Sequence, residues 1–140
     1  MREKYMRFGD YIRQKRLDDP RELTMHDVAV YLGISTSYMS EVENRRKKPF
    51  DRKRLAKLAE FLNLTEEEKA TMYDIASRDN RGVPYDIEDT LMYEEVGDLA
   101  RFALRQSKAG FITEEDWKLF IRQMEEKKAK QLGKGADAND

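Results

Sequence analysis

Apolar residues recur along this chain at intervals of three and four, the spacing that lines one face of an α-helix. Phe8, Ile12 and Arg16 share such a stripe and predict a first helix over about 6–17. Thr24 is a good N-cap, and Asp27 three residues later completes a capping box. Val28, Ala29 and Leu32 then form the inner face of a second helix, and Gly33 can take the positive φ that ends it sharply. Ile34 follows as a core plug, and Ser35 caps a third helix whose inner face carries Met39 and Val42. Thr36, Ser37, Ser40 and Glu41 are left facing outward. Ala29 suits a steep helix crossing, where only a small side chain fits.

The pattern continues. Asp51 caps a fourth helix over about 52–62, with Phe50 placed to staple onto Leu55. Thr65 and Glu68 form a capping box for a fifth over about 66–77, with Met72, Ile75 and Ala76 inward. The polar stretch Ser77-Arg78-Asp79-Asn80-Arg81-Gly82 is a break, which places a domain boundary after residue 79. A second region, 80–132, opens at Pro84, a residue suited to a first helical turn. There Ile87 and Leu91 share a face, and Val96, Leu99, Ala100, Ala103, Leu104 and Ser107 make a clear stripe. After Gly110, Thr113 and Asp116 cap a last helix with Trp117, Phe120, Ile121 and Met124 on its apolar face. The chain is polar from Glu125 onward, and 133–140 reads as a disordered tail. The predicted fold class is all-α: a five-helix N-terminal domain, a small C-terminal helical region, and no internal repeat.

Two short helices joined at Gly33 and followed by Arg45-Arg46-Lys47-Lys48 have the layout of a helix-turn-helix, whose second helix enters the major groove of DNA. Leu23, Thr24, Val28, Ala29, Leu32, Gly33, Ile34, Ser35, Met39, Ser40, Glu43 and Asn44 match the pattern Leu-Thr-Gln-x-x-Leu-Ala-x-x-Leu-Gly-Val-Ser-x-x-x-Ile-Ser-x-x-Glu-Asn-Gly. Ile12, Arg13 and Arg16 before it, and Leu55, Leu58, Ala59 and Leu62 after it, extend the match over roughly 6–77. The chain resembles the Xre/Cro-like regulators of bacteria and phages. That resemblance implies a lambda-repressor-like DNA-binding domain. It has departures. Met25 stands where the family often has a phosphate-touching Gln, Arg45 replaces the usual Gly, and the stretch from Arg16 to Leu23 is about two residues longer.

Composition fits a small regulator: 39% of the 140 residues are charged and 39% hydrophobic. Charge is unevenly spread. Residues 1–64 hold 15 Lys or Arg against 10 Asp or Glu, a net of +5, and residues 65–140 hold 12 against 18, a net of −6. A positive N-terminal half suits phosphate, while an acidic second half suits protein contacts. With no Cys and one His, His26, neither a disulfide nor a metal site is expected, nor a cofactor. No Gly-rich phosphate loop and no nucleophile with an evident base favour an enzyme. No apolar run nears the ~20 residues needed to cross a bilayer, and no signal peptide opens the chain, so the bacterial cytosol is the expected compartment.

The resemblance assigns base reading to Thr36, Ser37 and Glu41. Hydroxyls can bond base edges, and a carboxylate can accept from a cytosine amino group while rejecting other bases. For Glu41 the alternative is a surface pair with Arg45 one turn on. Asn44, Arg45, Arg46, Lys47 and Lys48 are the expected phosphate contacts, with Arg52 and Lys53 as an outer fringe and Lys57 more ordinary solvated surface. Tyr38 either lies over the sugar-phosphate backbone or covers the helix pair. Arg16 and Glu43 both fall on core-facing positions and demand each other, because a lone buried charge is very costly. The C-terminal stripe of Trp117 and Phe120 is open to two readings, a homodimer surface or an intramolecular core. The expected partner is double-stranded DNA, read as a dimer on a palindromic operator by a repressor. The alternative is an antitoxin or protein-interaction module whose C-terminal helices hold another protein.

Overall fold

A computed structural model describes residues 6–138, with side chains described for 6–133. Eight helices are present among the described residues: α1 (Phe8–Asp18), α2 (Met25–Leu32), α3 (Thr36–Glu43), α4 (Arg52–Phe61), α5 (Glu66–Asn80), α6 (Glu88–Tyr93), α7 (Glu95–Lys108) and α8 (Glu114–Ala138), with no strand. No helix among them is long and apolar enough to cross a membrane.

Local chemistry sets the boundaries. Thr24 accepts from the Asp27 amide while the Asp27 carboxylate accepts from the Thr24 amide, and Thr65 with Glu68 repeats that box at α5. Ser35 and Asp51 cap α3 and α4 through the amides of Tyr38 and Arg54. Gly33 ends α2 at φ 71°, in the left-handed region. The start of α1 lacks a cap from its own chain neighbours; Asp79 of α5 supplies it, accepting from the Phe8 amide at 3.0 Å and from Arg7 Nε at 3.1 Å. Further along α1, the Tyr11 hydroxyl donates to the Glu68 carbonyl and Lys15 Nζ lies 2.8 Å from the Glu68 carboxylate. That lysine, together with the capping contacts of Thr65, holds the Glu68 carboxyl below its ordinary range.

The core of the N-terminal unit gathers Phe8, Tyr11 and Ile12 of α1, Val28 and Leu32 of α2, Met39 and Val42 of α3, Leu55 and Leu58 of α4, and Met72 and Ile75 of α5. Phe50, in the loop before α4, is fully buried and meets the Phe8 ring edge-on at 5.8 Å. Gly9 lies where α1 crosses the end of α3: a Cβ there would stand 2.4 Å from the Glu43 carbonyl oxygen. The longer α1–α2 connection is folded on itself. Arg21 bonds both oxygens of Asp19, donates to the Phe61 carbonyl and stacks on the Phe61 ring. The hydrogen bonds from Arg21 hold the Asp19 carboxyl down at about 2.

The chain divides into two compact units between residues 89 and 90, not at 79/80. Two things carry the first unit past that point. Helix α5 runs on to Asn80, and the segment after it returns to the domain, with Tyr85 against the core and Glu88 and Asp89 paired with Arg52. In the second unit, α7 and α8 form a hairpin. Trp117 Nε1 donates to Ser107 Oγ at 2.8 Å and Ser107 Oγ donates to the Ile112 carbonyl, which fixes the turn, while Thr113 and Asp116 cap α8. Gly97 lets the end of α6 lie on α7, its Cβ position being 2.3 Å from the Leu91 carbonyl oxygen. The stretch expected to be a disordered tail from 133 is helical through Ala138; its composition of Ala, Lys and Asp contains no helix-stopping Pro, and a Gly costs only ~1 kcal/mol. Residues 139–140 lie outside the described residues.

One buried ion pair closes the first unit. Arg16 meets the Glu43 carboxylate with both arms of its fork, Nε to Oε2 at 2.9 Å and Nη2 to Oε1 at 3.0 Å, and Nη1 donates to the Leu23 carbonyl. The side chains are 10% and 2% exposed. Replacing Glu43 with Ala leaves a buried guanidinium without its partner, a loss of about 3–5 kcal/mol. Denaturant melts should show that loss for Glu43→Ala, and a joint Arg16→Met and Glu43→Leu change should recover most of it. A Glu43→Ala variant that melts like the parent would refute the pair's structural role.

Candidate nucleic-acid interface

The outer edge of α3 begins with Ser35, Thr36 and Ser37, all exposed at the helix N-terminus. The orientation of Thr36 is set from α2: its Oγ1 lies 3.1 Å from His26 Nδ1. Ser40 and Glu41 follow on the same outer side, half-buried, and Ser40 Oγ accepts from the Asn44 amide nitrogen Nδ2 at 3.2 Å. The opposite edge holds the helix in place. Met39 and Val42 are in the core, and the Tyr38 ring packs on Phe50 at 5.9 Å with the Arg54 guanidinium over it. The Tyr38 ring thus packs toward the loop before α4 and the start of α4.

A tight loop follows α3. Arg46 and Lys47 both donate backbone N–H bonds to the Glu41 carbonyl, curling the chain back over the helix end. Arg45, Arg46, Lys47 and Lys48 are all exposed around it. With Arg7, Gly9, Val42 and Asp79 they line a small cleft of about 190 Å³. Arg45 reaches Asp10 at 3.9 Å rather than Glu41. Lys53 is exposed in the first turn of α4. Arg52, beside it, is already engaged: Nη2 bonds Glu88 at 2.7 Å, Nη1 lies 3.7 Å from Asp89, and the guanidinium stands over the Tyr85 ring. Two sequence-distant features therefore shape the site that local pattern did not indicate, the His26–Thr36 bond and the acidic clasp on Arg52.

The arrangement sets a short outward helix, held by a capped turn and with exposed hydroxyls at its start, beside four exposed cations beyond its end. Residues 12–69 match the family model described as helix-turn-helix. Residues 12–69 are a helix-turn-helix domain of the Xre/Cro-like family. Neither the curated proteins nor the solved structures gave a significant match. The family is one of DNA-binding regulators, and its frame gives meaning to the chain's departures. Where the family usually places Gly after Asn, Arg45 adopts φ 63°, the left-handed conformation that suits Gly. Arg45 therefore carries backbone strain in exchange for a cation at the loop. Met25, in the usual Gln position, is half-buried and packs against the core.

Two outcomes follow. Arg45→Gly should stabilise the domain by about 1 kcal/mol through relief of the left-handed strain, while weakening binding to any duplex; a melt and a fluorescence-anisotropy titration measure the two effects separately, and a loss of stability would contradict the strain argument. Removing the carboxylates that hold Arg52, with Glu88→Gln and Asp89→Asn together, should tighten duplex binding several-fold at low salt and have little effect above ~0.5 M salt. Unchanged affinity at low salt would mean that Arg52 makes no phosphate contact.

Proposed function

We propose that the protein is a sequence-specific transcription regulator, a repressor that occupies a palindromic operator as a dimer and blocks polymerase. The observation that carries this reading is the pairing of exposed Thr36 and Ser37 at the start of α3 with the exposed run Arg45–Lys48 past its end. Thr36, Ser37 and Glu41 read base edges. The two hydroxyls both donate and accept, and the Thr36 methyl can meet a thymine methyl. Glu41 accepts from a cytosine amino group and repels bases that offer only acceptors. Asn44, Arg45, Arg46, Lys47, Lys48 and Lys53 hold phosphates, and Arg52 joins them once its acidic clasp opens. Tyr38 positions the helix from behind, and His26 fixes the Thr36 rotamer. A dimer would present two such helices to half-sites about 34 Å apart. The exposed apolar face of α7 and α8 is a specific reason to keep a second reading, an antitoxin-like protein whose C-terminal helices hold another protein.

A salt titration against random duplex and against the DNA upstream of the protein's own gene tests the reading. Arg45, Arg46, Lys47, Lys48 and Lys53 together should give a log–log slope of about −4.5 per protomer, at ~−0.9 per phosphate. Upstream DNA should bind more tightly. Thr36→Ala with Ser37→Ala should erase that preference and leave the background intact. Absence of binding to either duplex at low salt would refute the regulator and leave the helix-turn-helix as a protein-docking scaffold.

A further inference from the structure

We infer that His26 is a positioning residue for base reading: on taking up a proton it frees the Thr36 hydroxyl hydrogen, so that Thr36 donates to guanine where it otherwise only accepts. The inference rests on the DNA reading proposed above and names the residue that sets what Thr36 reads. His26 is the one histidine of the chain, and histidine is the side chain whose charge ordinarily changes between about pH 5 and 8. It is exposed in the first turn of α2, with Nδ1 3.1 Å from Thr36 Oγ1 at the start of α3. Among the described residues its other ring nitrogen, Nε2, has no hydrogen-bond partner. Asp27 and Tyr31 of α2 and Arg21 of the α1–α2 connection line the same shallow cleft as the ring, to which α4 contributes Phe61. Helix α3 meets the ring through Thr36 and carries no charged residue before Glu41. Asp27 keeps its charge, because the hydrogen bond from the Thr24 amide holds its carboxyl below its ordinary range. Arg21 is paired with Asp19.

The two protonation states give Thr36 different edges to present. A bare ring nitrogen turned toward a phosphate repels it, so at a DNA surface Nε2 carries the proton of the neutral ring. Nδ1 is then an acceptor. The Thr36 hydroxyl donates to it and leaves the base only its lone pairs. Such an oxygen accepts from the amino group of cytosine or adenine and repels O6 and N7 of guanine. A proton taken from solvent adds a hydrogen at Nδ1, and both ring nitrogens become donors. The bond to Thr36 reverses. Oγ1 now accepts from Nδ1, and its own hydrogen turns outward, where O6 or N7 of guanine can receive it. Phosphates near the ring favour the charged form, so DNA binding and proton uptake assist each other. Both side chains meet water in the free protein. A helix seated in a groove excludes that water, which strengthens the bond between them.

Selection by the full chain from a pool of randomised duplexes, at about pH 8 and about pH 5.5, tests this. Comparison with Thr36→Ala identifies the position that Thr36 reads. There the ratio of guanine to cytosine should rise about threefold to tenfold in the parent at the lower pH, the worth of one hydrogen bond. His26→Gln, at an exposed site, should melt as the parent does and select the same bases at both pH values. The ring gives a second readout without DNA, since one histidine yields one pair of ring-nitrogen resonances. At about pH 8 the proton should lie on Nε2, and Thr36→Ala should shift the Nδ1 resonance. A proton on Nδ1, or an Nδ1 resonance indifferent to Thr36→Ala, overturns the inference. A guanine shift that persists in His26→Gln overturns it too. A sequence preference that is the same at both pH values refutes this inference alone and leaves the regulator standing. A pool that yields no preferred sequence at either pH refutes the regulator, and this inference with it.

Discussion

A helix of eight residues does not hold itself in water, since nucleation is costly and each turn returns little. Helix α3 is that short, and its place in the fold depends on the clamp that α1 puts on its last turn. The Arg16 fork grips the Glu43 carboxylate from one side, and the absence of a side chain at Gly9 lets the α1 backbone approach the Val42 and Glu43 carbonyls from the other. The same guanidinium bonds the Leu23 carbonyl, so the entry to α2 and the exit of α3 are tied to one charged group. Burying such a pair is not by itself a gain in stability over an apolar core. Its use here is geometric: it fixes where α3 ends, and so where the loop of Arg45 to Lys48 begins.

Much of this was legible in the sequence because it is local. Caps and their partners lie three residues apart, as in Thr24–Asp27 and Thr65–Glu68, and Gly33 marks the turn by its conformational freedom. The Arg16–Glu43 pair, 27 residues apart, could be read only because two charges fell on apolar stripes. Contacts between ordinary polar positions gave no such sign. Nothing in the pattern shows that His26 meets Thr36, that Asp79 caps a helix 71 residues earlier in the chain, or that Glu88 and Asp89 return to Arg52. Each side chain would be unremarkable on a solvated surface, and only the tertiary fold brings it to its partner. The early boundary at 79/80 fails for the same reason: a Gly-ended polar break predicts where a helix stops, not where the chain leaves a domain.

The two units solve the problem of stability differently. The first buries a full core from five helices and can leave α3 facing outward. The second closes its turn with hydrogen bonds among Trp117, Ser107 and Ile112, yet keeps the leucines and phenylalanines of α7 and α8 open. A hairpin that satisfies its polar groups and not its apolar ones is a half-built core. Its charges are ordered rather than scattered, acidic in the first turn of α7 and basic in the last, an arrangement that also complements the helix dipole.

In the proposed function, this division of labour answers a shortage at the reading end. A good base contact discriminates by about 1–3 kcal/mol, and hydroxyls such as those of Thr36 and Ser37 lack the bidentate geometry that reaches the top of that range. Three such side chains give one protomer only roughly 3–5 kcal/mol of discrimination, near the floor of the ~4–10 kcal/mol that separates specific from non-specific binding. Adding cations would not help, because phosphate contacts raise affinity for every sequence alike. The net charge of −6 over residues 65–140 works the other way, holding down attraction to random DNA. Doubling the reading surface is the remaining route, and it needs a partner that presents the same helix again at a fixed distance. On that reading, a short and sparsely equipped α3 calls for a second reading helix rather than for more phosphate contacts.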